Sequence, residues 1–319
     1  MCVYAYYMRT YHSIYFTMLY TNTRRLLWTL VSVAIVSDDI KTPERIEFIF
    51  DYFWSIECEF SRFRIDSSLS ILNREKFLRV SSRFIAIMKL CQQKYDQTDG
   101  LFNPLVQVAR LGYSYSFDES RFEPTKNAVD VDFSKVLVGS GIISLQPNQN
   151  LDFGGIAKWY AVDMASAMLL AFGYDNFFVN AGWDIYAHGC NESWLPWSIG
   201  IENPFSLVVD ISLALKNTAI ATSGRYKRNW QIDNQEYHHL VHPKTGTNNS
   251  PIMSVTLIGK KCVDCDSFTK SIFHITPEEG IRKIHDYKLE GMIYDLHGKL
   301  FCSHGLIDTY GLIFAGQQQ

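Results

Sequence analysis

Between residues 176 and 259 the chain is a succession of short strand-like runs, and this limits its fold more than any other feature. The runs are "NFFVNAGWDIYAHG", "WSIGIEN", "SLVVDISLAL", "AIATSG", "YHHLVHP" and "MSVTLIG". Turn-forming residues punctuate this stretch, and β-branched and aromatic residues fill the runs. Helical patterns lie on both sides of the block. Thr42-Pro43-Glu44 opens a helix with proline at its first position, and Ile46, Ile49, Phe53, Ile56 and Phe60 follow at helical spacing. A second helix is expected over about Lys76 to Tyr95, a short one from Pro104 towards Gly112, and another from Gly155 to Gly173. Further helices are expected from about Asp266 to Ile275 and from Pro277 to Asp286, followed by a hairpin that turns at Gly298. Helices placed both early and between strands indicate an α+β fold, a largely antiparallel sheet with helices packed on it. No internal repeat or Pro/Ser-rich linker divides the chain. One domain is therefore expected over residues 23–319, preceded by an N-terminal extension, residues 1–22, that the pattern does not place.

The chain has 319 residues, 47% of them hydrophobic, enough for a large core. The formal net charge of −3 and the lack of a long basic run argue against nucleic acid as a partner. Seven cysteines, an odd number scattered along the chain, argue against a disulfide framework and lean towards a reducing, cytoplasmic compartment. Leu26 to Val36, behind Arg24 and Arg25, reads either as a signal-peptide core or as a buried strand. It is too short to span a bilayer, no cleavage or lipidation site follows it, and its β-branched content favours the strand. Export or membrane association stays open, as does a homodimer.

Four stretches carry chemistry. In "LDFGGIAKWYAVD" (Leu151 to Asp163), glycines sit where an apolar run meets a helix, so a ligand can approach the backbone and the helix start offers N–H groups to an anion. Asp266 and Thr269 share one helix face, a hard oxygen pair that suits Mg²⁺ or, equally, an ordinary helix cap. "ATSGRY" (Ala221 to Tyr226) can wrap a phosphate or ribose, or simply turn. In "YHHLVHPKTG", His238 and His239 point to opposite faces of a strand, so only one can serve a given site as a general base. A rival reading joins His238, His242, Cys262 and Cys265 into a structural zinc clip, although Asp264 and Asp266 crowd the second pair.

Taken in order, "FSRFRIDSSLSILN", "TDGLFNP", "LDFGGIAKWYAVD", "NAGWDIYAHG", "AIATSGRY", "HLVHPKTG" and "SVTLIGKKCVDCDSFTKSIF" resemble the successive motifs of the ApbE family, the FAD:protein FMN transferases. The resemblance covers roughly residues 45 to 275. It implies a single α+β domain with an FAD cleft, FAD as substrate and Mg²⁺ as cofactor. It also implies an acceptor protein whose Thr or Ser hydroxyl takes the FMN moiety while AMP leaves. By motif position, Asp152 and Lys158 would contact FAD, and Phe63, Leu101, Phe102 and Asn103 would meet its flavin or adenosine. Gly155 would offer a carbonyl to the metal. His239 matches the family's site histidine and Asp266 its metal carboxylate.

The departures from the pattern matter as much. The family's metal-binding threonine, four residues after the aspartate, is Lys270 here, and Thr269 is the available substitute. A charged lysine cannot ligate Mg²⁺ and would repel it, but it can meet a diphosphate. Trp159 and Trp183 stand where glycine is common, and His242 replaces a frequent aspartate. The early Met-Gly-Thr motif is not recognisable, Thr21 to Thr23 being its nearest remnant. Three alternatives to the transferase follow: an FAD diphosphatase that uses water as acceptor, an FAD-binding homologue without turnover, and the zinc-clipped scaffold.

Overall fold

The computed structural model describes residues 17–106, 108, 130–232 and 235–314. The chain opens with a hairpin of β1 (Met18–Leu26) and β2 (Thr29–Ser37), then three helices: α1 (Thr42–Phe60), α2 (Ser68–Glu75) and α3 (Ser82–Gln97). The short strand β3 (Phe77–Arg79) separates the last two and pairs with β5 (Ile142–Ser144), which also pairs with β4 (Leu137–Val138). Helix α4 (Ala157–Ala171) leads into β6 (Phe177–Ala181), β7 (Ile185–His188), β8 (Trp197–Glu202), β9 (Val209–Leu215) and β10 (Thr218–Gly224). A two-stranded ribbon, β11 (Asn229–Ile232) and β12 (Gln235–His238), precedes β13 (Ile252–Gly259). Then come α5 (Cys262–Ile272), α6 (Pro277–Asp286), β14 (Glu290–Asp295), β15 (Leu300–Cys302), α7 (Gly305–Tyr310) and β16 (Ile313–Phe314).

The main sheet has eight strands in the order β1-β2-β6-β7-β10-β13-β14-β15, every neighbouring pair antiparallel. Strand periodicity explains its two buried faces. In β10, Ala219 and Ala221 face the larger core while Ile220 between them joins a second core. Met292 and Ile293 of β14 divide in the same way. The larger core is closed by α1, α4 and α5. The stripe Ile46, Ile49, Phe53, Ile56 and Phe60 of α1 is buried as its spacing predicts. The second core packs under the small sheet β16-β9-β8 and α7. The α+β expectation, with a largely antiparallel sheet, holds.

Several boundaries differ from the sequence expectation. The helix expected over Lys76 to Tyr95 is a strand, β3, followed by a helix, α3, that starts only at Ser82, and α2 lies ahead of both. Lys76 adopts a left-handed backbone (φ 64°) that ends α2, and the side chains of Ser67 and Ser81 cap α2 and α3 by accepting from the N–H groups of Ser70 and Phe84 at 3.0 Å. The apolar run Leu26 to Val36 is the end of β1, a two-residue turn and most of β2, not a single strand. Strand β1 begins at Met18, inside the segment read as an extension. The short helix expected towards Gly112 lies mostly outside the described residues. Among the described residues, no helix is long and apolar enough to cross a membrane.

Helix α5 starts at Cys262, four residues ahead of the expected Asp266, for a non-local reason. The Asp163 carboxylate of α4 accepts the Cys262 N–H at 2.7 Å and the Val263 N–H at 3.1 Å. These are orphan donors of a helix start, and the carboxylate also complements the helix dipole. Asp163→Ala is expected to lower stability by about 1–2 kcal/mol. Unfolding in urea measures this, and an unchanged midpoint would mean that α5 does not depend on the cap.

Candidate active site

A cleft opens where the β1–β2 turn, the turn ahead of α4, the end of β10 and helix α5 meet. Phe63, Leu101, Phe102, Asn103, Asp152, Gly155, Lys158, His239 and Asp266 all line it. Thr269 does not. It is fully buried, and its hydroxyl faces Ser223 at 2.8 Å and the Asp266 carbonyl at 2.7 Å.

The turn ahead of α4 is built by Asp152. Its Oδ1 accepts the Gly154 N–H at 2.8 Å, and its Oδ2 lies 3.3 Å from Arg62 Nη1. Its own N–H donates to the Pro104 carbonyl at 2.7 Å, which ties this turn to the Leu101–Asn103 stretch. Asn103 is held by its own contacts, donating to the Val131 carbonyl at 2.8 Å and accepting the Leu105 N–H at 2.9 Å. Gly155 lets Lys270 pass close by, because a Cβ there would lie 3.1 Å from Lys270 Cε and push the side chain aside. Lys158 Nζ pairs with Asp184 Oδ2 at 3.2 Å. Asp184 is 3% exposed and lies in the β6–β7 turn.

On α5, the Asp266 carboxylate is 3% exposed and its Oδ2 accepts from the Lys270 ammonium one turn on. Ser223 Oγ lies 3.4 Å from Oδ1. Burial pushes the Asp266 carboxyl well up; Lys270 opposes this and the Asp184 charge adds to it. Burial also lowers the Lys270 ammonium, against the pull of Asp266. The ammonium sits 3.7 Å from the centre of the Trp159 ring. Lys270 already occupies the Asp266 carboxylate on which a divalent cation would depend, and its Cε passes beside Gly155. Thr269 offers no ready ligand, its hydrogen bonds being made within the protein. The side chains present therefore do not fit Mg²⁺ as the resemblance implies it.

His239 follows β12 at the cleft wall. Its Nδ1 lies 3.4 Å from the Arg228 carbonyl. A carbonyl only accepts, so this contact assigns the proton to Nδ1 and the lone pair to Nε2. Loss of water around the ring, then the Arg228 and Lys270 charges, hold its pKa well below the ordinary histidine value. The imidazole is neutral near pH 7 and able to accept a proton.

The cleft mouth is aromatic. Trp28 and Phe63 meet edge to face at 5.0 Å, and the Arg62 guanidinium lies 4.7 Å above Phe63. Leu27 and Trp28 form the β1–β2 turn with left-handed backbones (φ 52° and 59°) and line the cleft. Thr21 to Thr23 lie on exposed β1 and do not. Trp183 is 61% exposed with φ 77°, a conformation that favours glycine, and Lys227 Nζ lies 4.8 Å over its ring. Such surfaces suit a flat ring system.

Asp184, Ser223, Trp28 and the Lys270–Trp159 contact were not marked as site features by sequence reasoning. Asp184 sits inside the quoted "NAGWD" and Ser223 inside "ATSGRY", so the motifs were the available signal, while their partners Lys158 and Asp266 come from the tertiary fold. The zinc clip does not assemble: among the described residues no group of three or more His, Cys, Asp or Glu side chains is placed to hold a metal ion. The described cysteines are free, and His238 Nδ1 instead contacts the Leu240 N–H and Asn248 Nδ2, each at 3.3 Å.

The ApbE family pattern matches residues 27–293, most of the chain. The chain belongs to the ApbE family. The FAD:protein FMN transferase of Vibrio cholerae is 26% identical over 242 residues, 70% of this chain and 71% of that protein. That of Treponema pallidum is 23% identical over 329 residues, 93% of this chain and 90% of its own length. Among solved structures, the ApbE protein of Thermotoga maritima superposes with a TM-score of 0.82 at 25% identity, covering 90% of this chain and 97% of that one. The flavin transferase ApbE of Vibrio cholerae gives 0.78 at 22% identity, covering 92% and 99%, and this likeness concerns the fold. This ApbE chain thus carries the family's α+β architecture, with the cleft formed where the family's motifs converge.

Proposed function

We propose that this chain is an FAD:protein FMN transferase that moves the FMN moiety of FAD onto a Thr or Ser hydroxyl of an acceptor protein and releases AMP. The observation that carries this reading is the neutral His239, on the wall of the same cleft as the Asp152–Gly155 turn and the basic groups Lys158 and Lys270. FAD's diphosphate lies against that turn, where the start of α4 favours an anion. Trp28 and Phe63 take a flat ring of the substrate.

The acceptor hydroxyl attacks the phosphorus of the FMN half. Its proton passes to His239 Nε2 as the new P–O bond forms. The bond from that phosphorus to the bridging oxygen breaks, and AMP departs with the electron pair. General-base help of this kind contributes about 10²–10⁴-fold. Mg²⁺ has no step in this account, since Lys270 stands on its carboxylate.

The test incubates purified protein with FAD and a threonine-bearing acceptor domain. AMP appearing together with a fluorescent flavin band on the denatured acceptor is the expected result. AMP without labelled acceptor would replace transfer by FAD hydrolysis. FAD binding with no AMP would leave a binding protein.

A further inference from the structure

Two positions at which this chain departs from its family's pattern, Trp159 and Lys270, touch each other. The Lys270 ammonium lies 3.7 Å from the Trp159 ring centre and pairs with Asp266, while its Cε passes close to Gly155. Aromatic face and carboxylate thus hold one cation from two sides. Trp159 is 2% exposed and Asp266 3%, so the cation sits where water screens little. The Lys270 side chain, 20% exposed at the cleft wall, and the buried Asp266 depend on each other. Without Lys270 the Asp266 carboxylate would keep only the Ser223 hydroxyl, and without Asp266 the ammonium would keep only the Trp159 ring. A dication brought to the same carboxylate would have to expel the lysine and strip it of that partner.

We propose that Lys270 is a built-in replacement for the divalent cation: its ammonium, fixed by Asp266 and Trp159, supplies the counter-charge to the FAD diphosphate, and the site binds and cleaves FAD without Mg²⁺. This rests on the transferase reading. It deepens that reading by naming the electrophilic aid, which in this chain is an ammonium acting by charge and hydrogen bonding. A lysine carries one positive charge where Mg²⁺ carries two, so neutralisation of the leaving AMP oxygen is weaker. Slow turnover that ignores chelators is the signature.

The experiment measures FAD affinity by flavin fluorescence in EDTA and in Mg²⁺, and titrates the protein with Mn²⁺ by electron paramagnetic resonance, with and without FAD. The wild type is expected to bind FAD equally in both buffers and to take up no stoichiometric Mn²⁺. Lys270→Thr is expected to bind FAD about ten-fold or more weakly in EDTA, to recover in Mg²⁺ and to bind one Mn²⁺. One Mn²⁺ bound by the wild type, or FAD affinity that rises ten-fold with Mg²⁺, overturns the proposal whether or not the variant folds. AMP release that fails in every buffer while FAD still binds would defeat the transferase reading and with it the cleavage half of this proposal, and the affinity and Mn²⁺ arms would still decide whether Lys270 supplies the counter-charge. A wild type with no affinity for FAD would overturn both.

Discussion

Replacing His239 by alanine is expected to slow FMN transfer by about 10²–10⁴-fold while FAD binding stays nearly unchanged. A threonine hydroxyl is a poor nucleophile near neutral pH and needs a base as the P–O bond forms. His239 is equipped for this: its low pKa keeps the ring neutral, and the Arg228 contact leaves the lone pair on Nε2. Its removal touches neither the Asp152 turn nor the aromatic mouth, so the substrate's main contacts survive. Single-turnover labelling of an acceptor domain, with FAD titrated in parallel, separates the two effects. A variant that transfers at the normal rate would remove His239 from the mechanism, and one that loses FAD would make it a binding residue.

His238 and His274 are each expected to withdraw about 3 kcal/mol of stability on acidification from about pH 6.5 to pH 4. Burial lowers His238 from 6.5 to about 4 and His274 to about 3, with the Arg225 charge adding at His238 and the His242 and His238 charges at His274. His238 Nδ1 already accepts the Leu240 N–H and the buried His274 Nδ1 has no hydrogen-bond partner, so a proton added at either atom finds no acceptor. Both groups have folded values below the unfolded one. Their contribution is fully present above pH 6.5 and is lost as the pH falls towards the folded values. By pH 4 each costs about 3 kcal/mol at about 1.4 kcal/mol per unit. Asp163 works the other way. Its folded value is raised from 3.8 to about 6, so it adds stability as the pH falls through that value, about 3 kcal/mol by pH 4. Asp266, pushed up by burial, acts in the same sense as Asp163, and His239, held low, acts with the two histidines. Chemical unfolding at pH 7, 5.5 and 4 measures the slope, and His274→Gln should flatten it. A slope left unchanged by His274→Gln would mean that this histidine is hydrated.

Much of the fold was legible because its elements announce themselves locally. The stripe on α1 repeats every three or four residues, the sheet strands alternate between two cores, and Pro277 and Gly298 mark a helix start and a hairpin turn. The boundaries were less legible where the deciding partner is distant. The α5 start is set by Asp163 on another helix, and β3 exists because β5 pairs with it.

The site divides in the same way. His239, Asp152 and Gly155 sit at junctions between elements, where a backbone turn leaves side chains or N–H groups free, and local sequence marks such junctions. By itself the chain therefore determined its class, its strand and helix succession and the motifs that face the cleft. Only the tertiary structure decided what those motifs hold. Lys158 finds Asp184 across a strand turn, and Lys270 reaches Asp266 and the Trp159 ring together. Thr269 turns away to Ser223. Charge pairing and packing act through space over a few ångströms, so their outcome depends on which residues folding brings together, and the order along the chain does not record it.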